Sequence, residues 1–527
     1  MKKRALAMLL TINLLFTFIA ARLFQLSVLP QDVSVQTGTR TKEIGTVRGT
    51  VFDRKLTPLV NNGIKYFLCV NPSFSSLTFA RELEDEELVA KIQERKFIIE
   101  KTEVPQNYKN CNDIKILEGY KRYTDNSLCH VIGYLNGEGD GVSGIEKYYN
   151  ALLSSYGGTL SVSYSADARG QVLIGEDIYI KDDGYYNTGG ISLTIDRDIQ
   201  LLVEKALYYY NVTKGAAVVL DVNTNEMLAC ASTPIFDTNN LSEYLNDENS
   251  PFINRAFCSY SVGSIFKVVT SAAALENNIP LQSYSCKGYV EIGDTTFNCN
   301  NAEGHKEIEF NDAISKSCNP YFVDLGLKTG TENILDLCKA FHLGEATDFG
   351  NGFKTETGTL PDKEASLGDG DLANLSFGQG KLTATPLQMA TVFSTIANGG
   401  YYIEPSLIKG IVERDGNLAE AEIKIKNKIL SDETCSTLKN ALEMTSVNGT
   451  GIAAHSNLFS SCTKTATAQS GQYDKNGNEI NICWFVGFFP KENPQYTICI
   501  LKEQGSSGGS DCGPVFKEIA EGLYLIS

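Results

Sequence analysis

The chain has 527 residues, with 46 basic and 63 acidic side chains and a net charge of −17. Its 42% hydrophobic and 21% charged residues are typical of folded domains and exclude a wholly disordered or fibrous chain. The acidic excess argues against a nucleic-acid-binding protein, which needs a basic surface. The length favours roughly two to four domains, because a single hydrophobic core rarely grows beyond about 300 residues.

The N-terminus predicts a membrane anchor. A Lys-Lys-Arg cluster precedes an apolar stretch that runs without charge from Ala5 to Ala21 and continues past Arg22. About 20 apolar residues suffice to cross a bilayer, and this stretch exceeds the roughly 7–15-residue core of a cleaved signal peptide, the alternative interpretation. We expect a cytoplasmic tail at 1–4, a single transmembrane anchor at 5–28 in the cell membrane, and export of the remainder, because basic residues stay inside.

The exported part changes character near residue 190, after a glycine-rich stretch. Residues 31–190 contain no recognisable catalytic cluster, whereas 191–527 alternate strand-like and helical patterns, which indicates an α/β or α+β domain. In chain order, the predicted elements are a solvated helix over 83–96, a hairpin of 215–221 and 226–232, helices over 264–276 and 386–397, and a hairpin of 482–489 and 496–501.

The fourteen cysteines follow no metal-ligand spacing. There is no C-x2-C pair and no H-E-x-x-H, and the four histidines are scattered, so we expect neither a structural zinc site nor any other metal. Exported cysteines can form disulfides. Cys286 and Cys299, which flank a strand-like stretch, are the most plausible pair.

The first candidate for catalysis is the tetrad Ser264-Ile-Phe-Lys267. A helix that starts here places the serine at its N-terminus, where free backbone N–H groups favour a developing oxyanion. The lysine lies one turn further on the same face, and a partly desolvated lysine can supply the base that a serine nucleophile needs. The same S-x-x-K spacing occurs at Ser406, Ser436 and Ser461, so it is not specific by itself.

Two further clusters add chemistry to this tetrad. Ser317 and Asn319 form an S-x-N triplet, which offers a hydroxyl for proton relay and an amide for the lysine and a substrate carbonyl. Taken alone, the triplet is better explained as a polar helix end. On a predicted strand, Lys464 and Thr465 can hold a carboxylate, and the backbone N–H of Thr467 can complete an oxyanion hole. Three clusters in this order within one domain are more specific than any one.

The order S-x-x-K, S-x-N, K-T-x resembles that of the serine transpeptidases and β-lactamases that bind penicillin. Matching stretches along nearly the whole chain narrow the resemblance to class B penicillin-binding proteins, the membrane-anchored D,D-transpeptidases of peptidoglycan synthesis. These stretches are residues 48–54, 130–134, 144–146, 193–196, 199–200, 254–256, 377–380, 385–388 and 484–488.

The resemblance implies a penicillin-binding transpeptidase fold, an antiparallel sheet sandwiched by helices, in 191–527. It implies an elongated, mixed α+β pedestal or dimerisation module in 31–190. The implied activity is cross-linking of peptidoglycan stem peptides that end in D-Ala–D-Ala, for division, elongation or sporulation, through a serine acyl-enzyme that β-lactams inhibit. No cofactor is implied. The implied partners are a polytopic glycan polymerase and other wall-synthesis membrane proteins.

The resemblance also assigns roles to residues. Ser264 is the expected acylated nucleophile, and Lys267 accepts its proton. Ser317 relays that proton to the leaving D-alanine, while Asn319 orients the lysine and the substrate. The expected substrate-binding residues are Lys464 and Thr465 for the terminal carboxylate and Thr467 for the oxyanion hole.

Ala466 departs from the family pattern, which has glycine after Lys-Thr. Its methyl group could crowd the acyl pocket or the packing behind the strand, because glycine permits a closer approach. Two hypotheses follow: an active enzyme, or a weakened or β-lactam-tolerant member that acts mainly as a scaffold of wall synthesis.

Other classes of enzyme fit less well. Residues 505–509 match G-x-S-x-G, the nucleophile elbow of α/β-hydrolases, but no histidine follows them to complete a triad, so a loop is favoured. A β-lactam sensor or β-lactamase lacks a module like 31–190. A bifunctional glycosyltransferase needs a dedicated polymerase domain, for which this module is too short.

Overall fold

The computed structural model describes residues 2–28, 38–102, 112–362, 367–473, 475, 477 and 479–526. The helices are α1 (Lys2–Val28), α2 (Phe74–Glu82), α3 (Glu86–Gln93), α4 (Cys129–Ile132), α5 (Gly144–Tyr148), α6 (Asn150–Ser155), α7 (Arg197–Tyr209), α8 (Lys267–Glu276), α9 (Phe310–Ser315), α10 (Asn319–Thr329), α11 (Thr331–Ala340), α12 (Asp369–Ser376), α13 (Pro386–Ala397), α14 (Asp432–Asn448) and α15 (Gly513–Ile526). Short 3-10 helices span Leu241–Tyr244, Gly263–Phe266 and Ile452–Ala454, and a π-helix spans Gly508–Cys512.

The strands are β1 (Gly38–Val47), β2 (Thr50–Phe52), β3 (Gly63–Val70), β4 (Ile98–Thr102), β5 (Ile114–Lys121), β6 (Gly158–Ala166), β7 (Tyr179–Asp183), β8 (Gly190–Leu193), β9 (Gly215–Asp221), β10 (Met227–Thr233), β11 (Tyr260–Ser261), β12 (Tyr284–Cys286), β13 (Tyr289–Ile292), β14 (Thr295–Asn298), β15 (Lys306–Ile308), β16 (Thr383–Ala384), β17 (Tyr401–Ile403), β18 (Ile408–Val412), β19 (Leu418–Glu420), β20 (Lys426–Lys428), β21 (Cys462–Tyr473), β22 (Glu479–Phe489) and β23 (Tyr496–Glu503).

The chain folds as two compact units. The first comprises Met1–Thr46, Ile64–Gly119 and Thr159–Asp183, and the second comprises Val47–Gly63, Tyr120–Gly158 and Gly184–Ser527. Three stretches of the predicted 31–190 module, residues 47–63, 120–158 and 184–190, therefore belong to the second unit. A single boundary near residue 190 does not describe this division. The physical reason is backbone pairing, because β2 forms a parallel ladder with β8 inside a four-stranded sheet of order β19-β18-β8-β2.

The first unit is a mixed α+β assembly with an apolar N-terminal helix. It contains two three-stranded sheets, of order β1-β6-β7 and β4-β3-β5. The helix predicted over 83–96 is shorter in the structure, α3 (Glu86–Gln93), and its Leu88 and Ile92, one turn apart, are buried in a small core with Leu68 of β3. Within α1, Lys3–Gln25 forms a stretch of 23 residues with mean hydropathy 2.0 and no burial, long and apolar enough to cross a membrane.

The second unit is built around a five-stranded antiparallel sheet of order β10-β9-β23-β22-β21. Successive residues of a strand point to opposite faces, and β9 buries both sets. Val218 and Leu220 join one core with α8, α10, α13 and α14, whereas Val219 joins a second core with α7 and α15. Helices therefore cover both faces, which confirms the predicted sheet sandwiched by helices.

A buried ion cluster ties the N-terminal segments of the second unit together. Glu146 is fully buried, and its carboxylate accepts hydrogen bonds from Arg48 Nε at 3.0 Å and Arg122 Nε at 2.6 Å. The Tyr123 hydroxyl donates a third, at 2.8 Å. A charge buried this deeply is tolerated only when it is paired and hydrogen-bonded. The family-like stretches at 48–54 and 144–146 thus meet in one structural cluster.

The predicted elements of the second unit are confirmed with two adjustments. The predicted hairpins correspond to β9 with β10 and β22 with β23, and α13 spans the predicted 386–397. The helix predicted over 264–276 begins as a 3-10 turn and becomes α-helical at Lys267. The stretch between Cys286 and Cys299 is not one strand, because it turns back at Gly293 to form the β13–β14 hairpin.

Candidate active site

Ser264 lies in a tight 3-10 turn that leads into α8. The preceding Gly263 has φ +64° and donates its N–H to Gly378 O at 2.8 Å. A Cβ at Gly263 would lie 3.0 Å from Ala468 Cβ and 3.3 Å from Ala466 Cβ. Position 263 therefore favours glycine for two reasons: its backbone is left-handed, and it lies close to β21. That approach sets the serine beside the strand carrying the third motif.

Lys267 is the hub of the site. Its side chain is fully buried, and its Nζ lies 3.0 Å from Ser264 Oγ, 3.0 Å from Ser317 Oγ, 2.9 Å from Ser317 O and 2.7 Å from Asn319 Oδ1. The ring of Phe322 lies 5.5 Å away. The lysine thus contacts three of the predicted catalytic residues at once.

Burial lowers the pKa of Lys267 to about 7, against an ordinary value of 10.5, because the charged form is desolvated. The carbonyl oxygens of Ser317 and Asn319 can only accept, so they take the two N–H groups of a neutral amine. Its lone pair is then left for a hydroxyl hydrogen. A neutral amine held against a serine hydroxyl can act as a general base.

The S-x-N triplet crosses from α9 to α10. Ser317 has φ +56°, a left-handed conformation that costs a non-glycine residue about 1–3 kcal/mol and persists where the surroundings enforce it. Asn319 begins α10, with Pro320 immediately inside the helix. The Asn319 amide donates to Asn298 O at 2.8 Å. One turn therefore aims both polar side chains at Lys267.

The third motif lies on β21, an edge strand of the five-stranded sheet. Lys464 is fully buried, and its Nζ donates to Ser317 Oγ at 3.1 Å and to Thr465 O at 2.9 Å. Burial, reinforced by the charge of Lys267, lowers the pKa of Lys464 well below its ordinary value. Both lysines therefore contact the Ser317 hydroxyl, which lies within 3.1 Å of each amine.

The two threonines of this motif contact other parts of the fold. Thr465 Oγ1 donates to Thr450 Oγ1 at 2.7 Å, and Thr467 Oγ1 accepts the N–H of Gly508 at 3.1 Å. The structure thus joins Ser264, Lys267, Ser317, Asn319 and Lys464 in one contact network. Thr465 and Thr467 lie on the same strand, where their roles toward a substrate stay predictions.

Ala466 is 3% exposed and pairs with Trp484 of β22. Its methyl group faces Gly263, so it fills the gap between the strand and the serine turn. Trp484, the cross-strand partner of Ala466, donates its Nε1–H to Ser261 O at 2.9 Å. The Ala466 methyl group is accommodated because Gly263, which faces it, has no side chain.

Two supporting contacts were not predicted. Thr450, which contacts Thr465, also donates its N–H to Ser315 O at 3.0 Å and so links α9 to the strand. Arg255, whose side chain is 3% exposed, pairs with Glu503 at 2.8 Å. Position 255 belongs to a family-like stretch, but its partner lies 248 residues later, and no sequence pattern connects the two.

The cysteines correct one prediction, the disulfide. Cys286 and Cys299 are free thiols, as are all thirteen cysteines within the described residues, so the predicted disulfide is absent from that part of the chain. The sequence shows no metal-ligand spacing among the cysteines, but the fold brings three of them close to one histidine. The ligand atoms of Cys286, Cys299, His305 and Cys318 all lie within 4.8 Å of one another. Sequence spacing missed this cluster because its members come from four separate turns.

Residues 215–521, more than half of the chain, match the family described as Penicillin binding protein transpeptidase domain. The chain belongs to this family. Stage V sporulation protein D of Bacillus subtilis is 29% identical over 517 residues, which cover 90% of this chain and 77% of that protein. Peptidoglycan D,D-transpeptidase FtsI of Escherichia coli K12 is 26% identical over 566 residues, which cover 97% and 90%. These relatives confirm a class B penicillin-binding protein.

Solved structures agree with this assignment at the level of fold. A chain from a study described as "Structural coordination of polymerization and crosslinking by a peptidoglycan synthase complex" matches with a TM-score of 0.72 at 24% identity. The match covers 99% of both chains. The penicillin-binding protein therefore shares its fold with known transpeptidases along nearly its whole length.

Proposed function

We propose that this penicillin-binding protein is a peptidoglycan D,D-transpeptidase with Ser264 as the acylated nucleophile. The observation that carries the proposal is the Lys267 amine, which is buried and lies 3.0 Å from both Ser264 Oγ and Ser317 Oγ. The relative in Escherichia coli is named a peptidoglycan D,D-transpeptidase, which supports the reaction class.

In the first half-reaction, Ser264 Oγ attacks the carbonyl of the penultimate D-alanine. Neutral Lys267 accepts the hydroxyl proton as the new C–O bond forms. The proton passes to Ser317, which lies within hydrogen-bond reach of Lys267, and then to the departing amine as the peptide C–N bond breaks. D-alanine leaves and the stem peptide remains as an ester on the serine.

In the second half-reaction, an amine from a neighbouring stem peptide attacks this ester. The same path runs in reverse: Ser317 takes a proton from the attacking amine, and the network returns one to Ser264 as the ester bond breaks. The product is a peptide cross-link and a free serine. Asn319 orients Lys267 in both halves through its 2.7 Å contact.

The negative charge that develops on the attacked carbonyl oxygen needs N–H donors. The backbone N–H groups of Ser264 and Thr467 are the proposed donors, since the 3-10 turn packs directly against β21. One such donor is worth about 10²–10³ in rate. Lys464 and Thr465 are the proposed site for the substrate carboxylate, and an entering carboxylate would favour the charged form of the buried Lys464.

Covalent labelling with a fluorescent penicillin tests the proposal on the full chain in detergent. Ser264→Ala should abolish labelling. Ser436→Ala is the matched control, because Ser436 also begins an S-x-x-K tetrad but Lys439 donates to Ala397 O instead of contacting the site. Unlabelled wild-type protein with an intact far-UV spectrum would contradict the proposed acylation. Labelled Ser264→Ala would identify a different nucleophile.

The position of Ala466 bears on the hypothesis of a weakened scaffold protein. Its methyl group packs against Gly263, and the contacts among Ser264, Lys267 and Ser317 are all within 3.0 Å. The network is therefore assembled with the alanine in place, which favours the active enzyme.

We further propose a single-pass membrane topology with the N-terminus in the cytoplasm and residues after α1 exported, the 31–190 region acting as a pedestal. The basic cluster before α1 and the apolar length of Lys3–Gln25 support this orientation. A polytopic glycan polymerase is the proposed partner of the anchor, in line with the synthase complex that shares this fold. A C-terminal alkaline phosphatase fusion should be active, and an inactive fusion at normal abundance would contradict export.

A further inference from the structure

A cavity of about 900 Å³ lies at the β10 edge of the five-stranded sheet. Its lining comes from residues 125–127, the end of α7 with the loop that follows, residues 231–235, and Asn249. β10 and β21 are the two outer strands of that sheet, so four strand spacings of about 4.8 Å place the cavity roughly 19 Å from the strand that carries Lys464. The cavity is therefore separate from the candidate active site.

Glu204 of α7 places a carboxyl group in this cavity with one oxygen left open. Its Oε1 accepts hydrogen bonds from Gln200 Nε2 at 2.8 Å, from Ser127 Oγ at 3.1 Å and from the N–H of Leu128 at 3.1 Å. Within the described part of the chain, no donor contacts Oε2. Because each carboxylate oxygen has its own acceptor positions, a donor on a ligand can still bind here.

The charge of the cavity is negative. Its described lining includes Asp125 as a second carboxyl group and contains no lysine, arginine or histidine. Burial raises the pKa of Glu204, and the negative charge of Asp125 raises that pKa further. Arg197 Nη2 lies 3.7 Å from Asp125 Oδ2, at the rim, and no described basic side chain pairs with Glu204. A cation that enters the cavity would therefore favour the charged form of Glu204.

Apolar and aromatic side chains form much of the remaining lining. Leu207 and Val212 are buried, whereas Ile235 is 50% exposed. Tyr208 and Tyr209 are 88% and 77% exposed. A tyrosine ring attracts a cation within about 6 Å of its face, and the methylene stem of a charged side chain packs along apolar surface. The lining thus suits a cation carried on a short chain of methylene groups.

A single open oxygen favours an ammonium group over a guanidinium group. Arginine pairs best with a carboxylate through two parallel hydrogen bonds, which use both oxygens, whereas the lysine ammonium is a compact charge that can bind one. At Glu204 three donors already occupy Oε1, so the two-point pairing is blocked.

We propose that this cavity binds a lysine side chain of another polypeptide, with the ammonium on Glu204 Oε2 and the methylene stem against Leu207 and the two tyrosines. Its volume is near the upper end of the roughly 300–1,000 Å³ that ligand pockets span, which leaves room for the residues on either side of the lysine. The inference does not depend on the proposed transpeptidase reaction.

The first test measures binding of acetylated, amidated pentapeptides to the full chain in detergent by ligand-observed NMR titration. The probe is Gly-Leu-Lys-Leu-Gly, and two matched peptides carry norleucine or arginine at the centre. The norleucine peptide should bind about 10–100-fold more weakly, which is the usual contribution of a hydrogen bond to a charged group. The arginine peptide should also bind more weakly, and so should cadaverine, which has the ammonium without the peptide.

Variants locate the binding site of the lysine peptide. Glu204→Gln should weaken binding about 10–100-fold. Tyr209→Ala, a change at the exposed rim, should weaken it about two- to fivefold. Glu433→Gln is the matched control, because it removes an exposed carboxyl group on α14, outside the cavity, and should bind as wild type does.

The second test forms a covalent bond at the proposed contact. A water-soluble carbodiimide activates a carboxyl group; the lysine amine then attacks the carbonyl carbon and loses a proton, and a urea leaves as the C–N bond replaces the C–O bond. Mass spectrometry should find Glu204 as the main site joined to the peptide, and this adduct should be absent from Glu204→Gln.

Acylation by fluorescent penicillin separates this inference from the proposed function. Glu204→Gln should label at the wild-type rate, which also shows that the variant is folded, and Ser264→Ala should bind the lysine peptide normally. The inference is overturned if the lysine and norleucine peptides bind equally, if wild type binds neither, or if adducts form on exposed carboxyl groups without preference for Glu204. Cadaverine binding as tightly as the lysine peptide would overturn the assignment to a polypeptide.

Discussion

The pH dependence of acylation follows from the burial of Lys267. Its pKa of about 7, against an ordinary 10.5, makes about half of the amine neutral at pH 7. An exposed lysine at that pH would be neutral in fewer than about one molecule in 10³. Only the neutral form can accept the proton of Ser264, so the second-order acylation rate should rise about tenfold between pH 6 and pH 8 and level off above.

The assay is stopped-time labelling with fluorescent penicillin from pH 5.5 to pH 9, in detergent and at constant ionic strength. Lys267→Arg, whose guanidinium stays protonated, should lose at least about 10²-fold at every pH and show no inflection. Lys464→Met tests the other buried lysine. Its inflection should persist near pH 7, because the general base is still present.

The burial of Lys267 also predicts that the free energy of unfolding depends on pH. Between pH 7 and 10.5 the unfolded chain binds a proton at Lys267 that the folded chain does not, so the free energy of unfolding should rise with pH in that window. Lowering the pKa of Lys267 from 10.5 to about 7 reduces the free energy of unfolding at pH 7 by about 4 kcal/mol. The free energy of unfolding of wild type, measured relative to Lys267→Met, should therefore rise with pH over this window.

A flat acylation profile from pH 6 to pH 8.5 in wild type would refute the assignment of Lys267 as the base.

Three other substitutions test features that do not depend on the pKa of Lys267. Glu146→Ala leaves Arg48 and Arg122 buried without their carboxylate and should lower the unfolding free energy by about 3–5 kcal/mol, measured by chemical denaturation; a loss below about 1 kcal/mol would contradict a tightly paired cluster. Ala466→Gly should cost about 0.5–1 kcal/mol in stability and leave acylation nearly unchanged, whereas a tenfold faster rate would favour the weakened-enzyme hypothesis. Ser317→Ala should slow acylation about 10²–10⁴-fold, and an unaffected rate would exclude the relay.

The sequence by itself determined the elements that depend on local pattern. The continuous apolar run of β9, the apolar length of α1 and the helical spacing of α13 can all be read without tertiary information, because each depends only on residues close together in the chain. The order of S-x-x-K, S-x-N and K-T-x was enough to group Ser264, Lys267 and Ser317, since each motif is a short run of adjacent residues.

Only the tertiary structure decided what depends on contacts between distant segments. Cys286 and Cys318 are 32 positions apart, and their meeting with His305 is set by the β12–β15 hairpins and the start of α10. The assignment of Val47–Gly63 to the second unit likewise depends on one parallel ladder. The length and acidity of the chain excluded whole classes of protein, but its cysteines could be interpreted only when the fold had brought their sulfur atoms together.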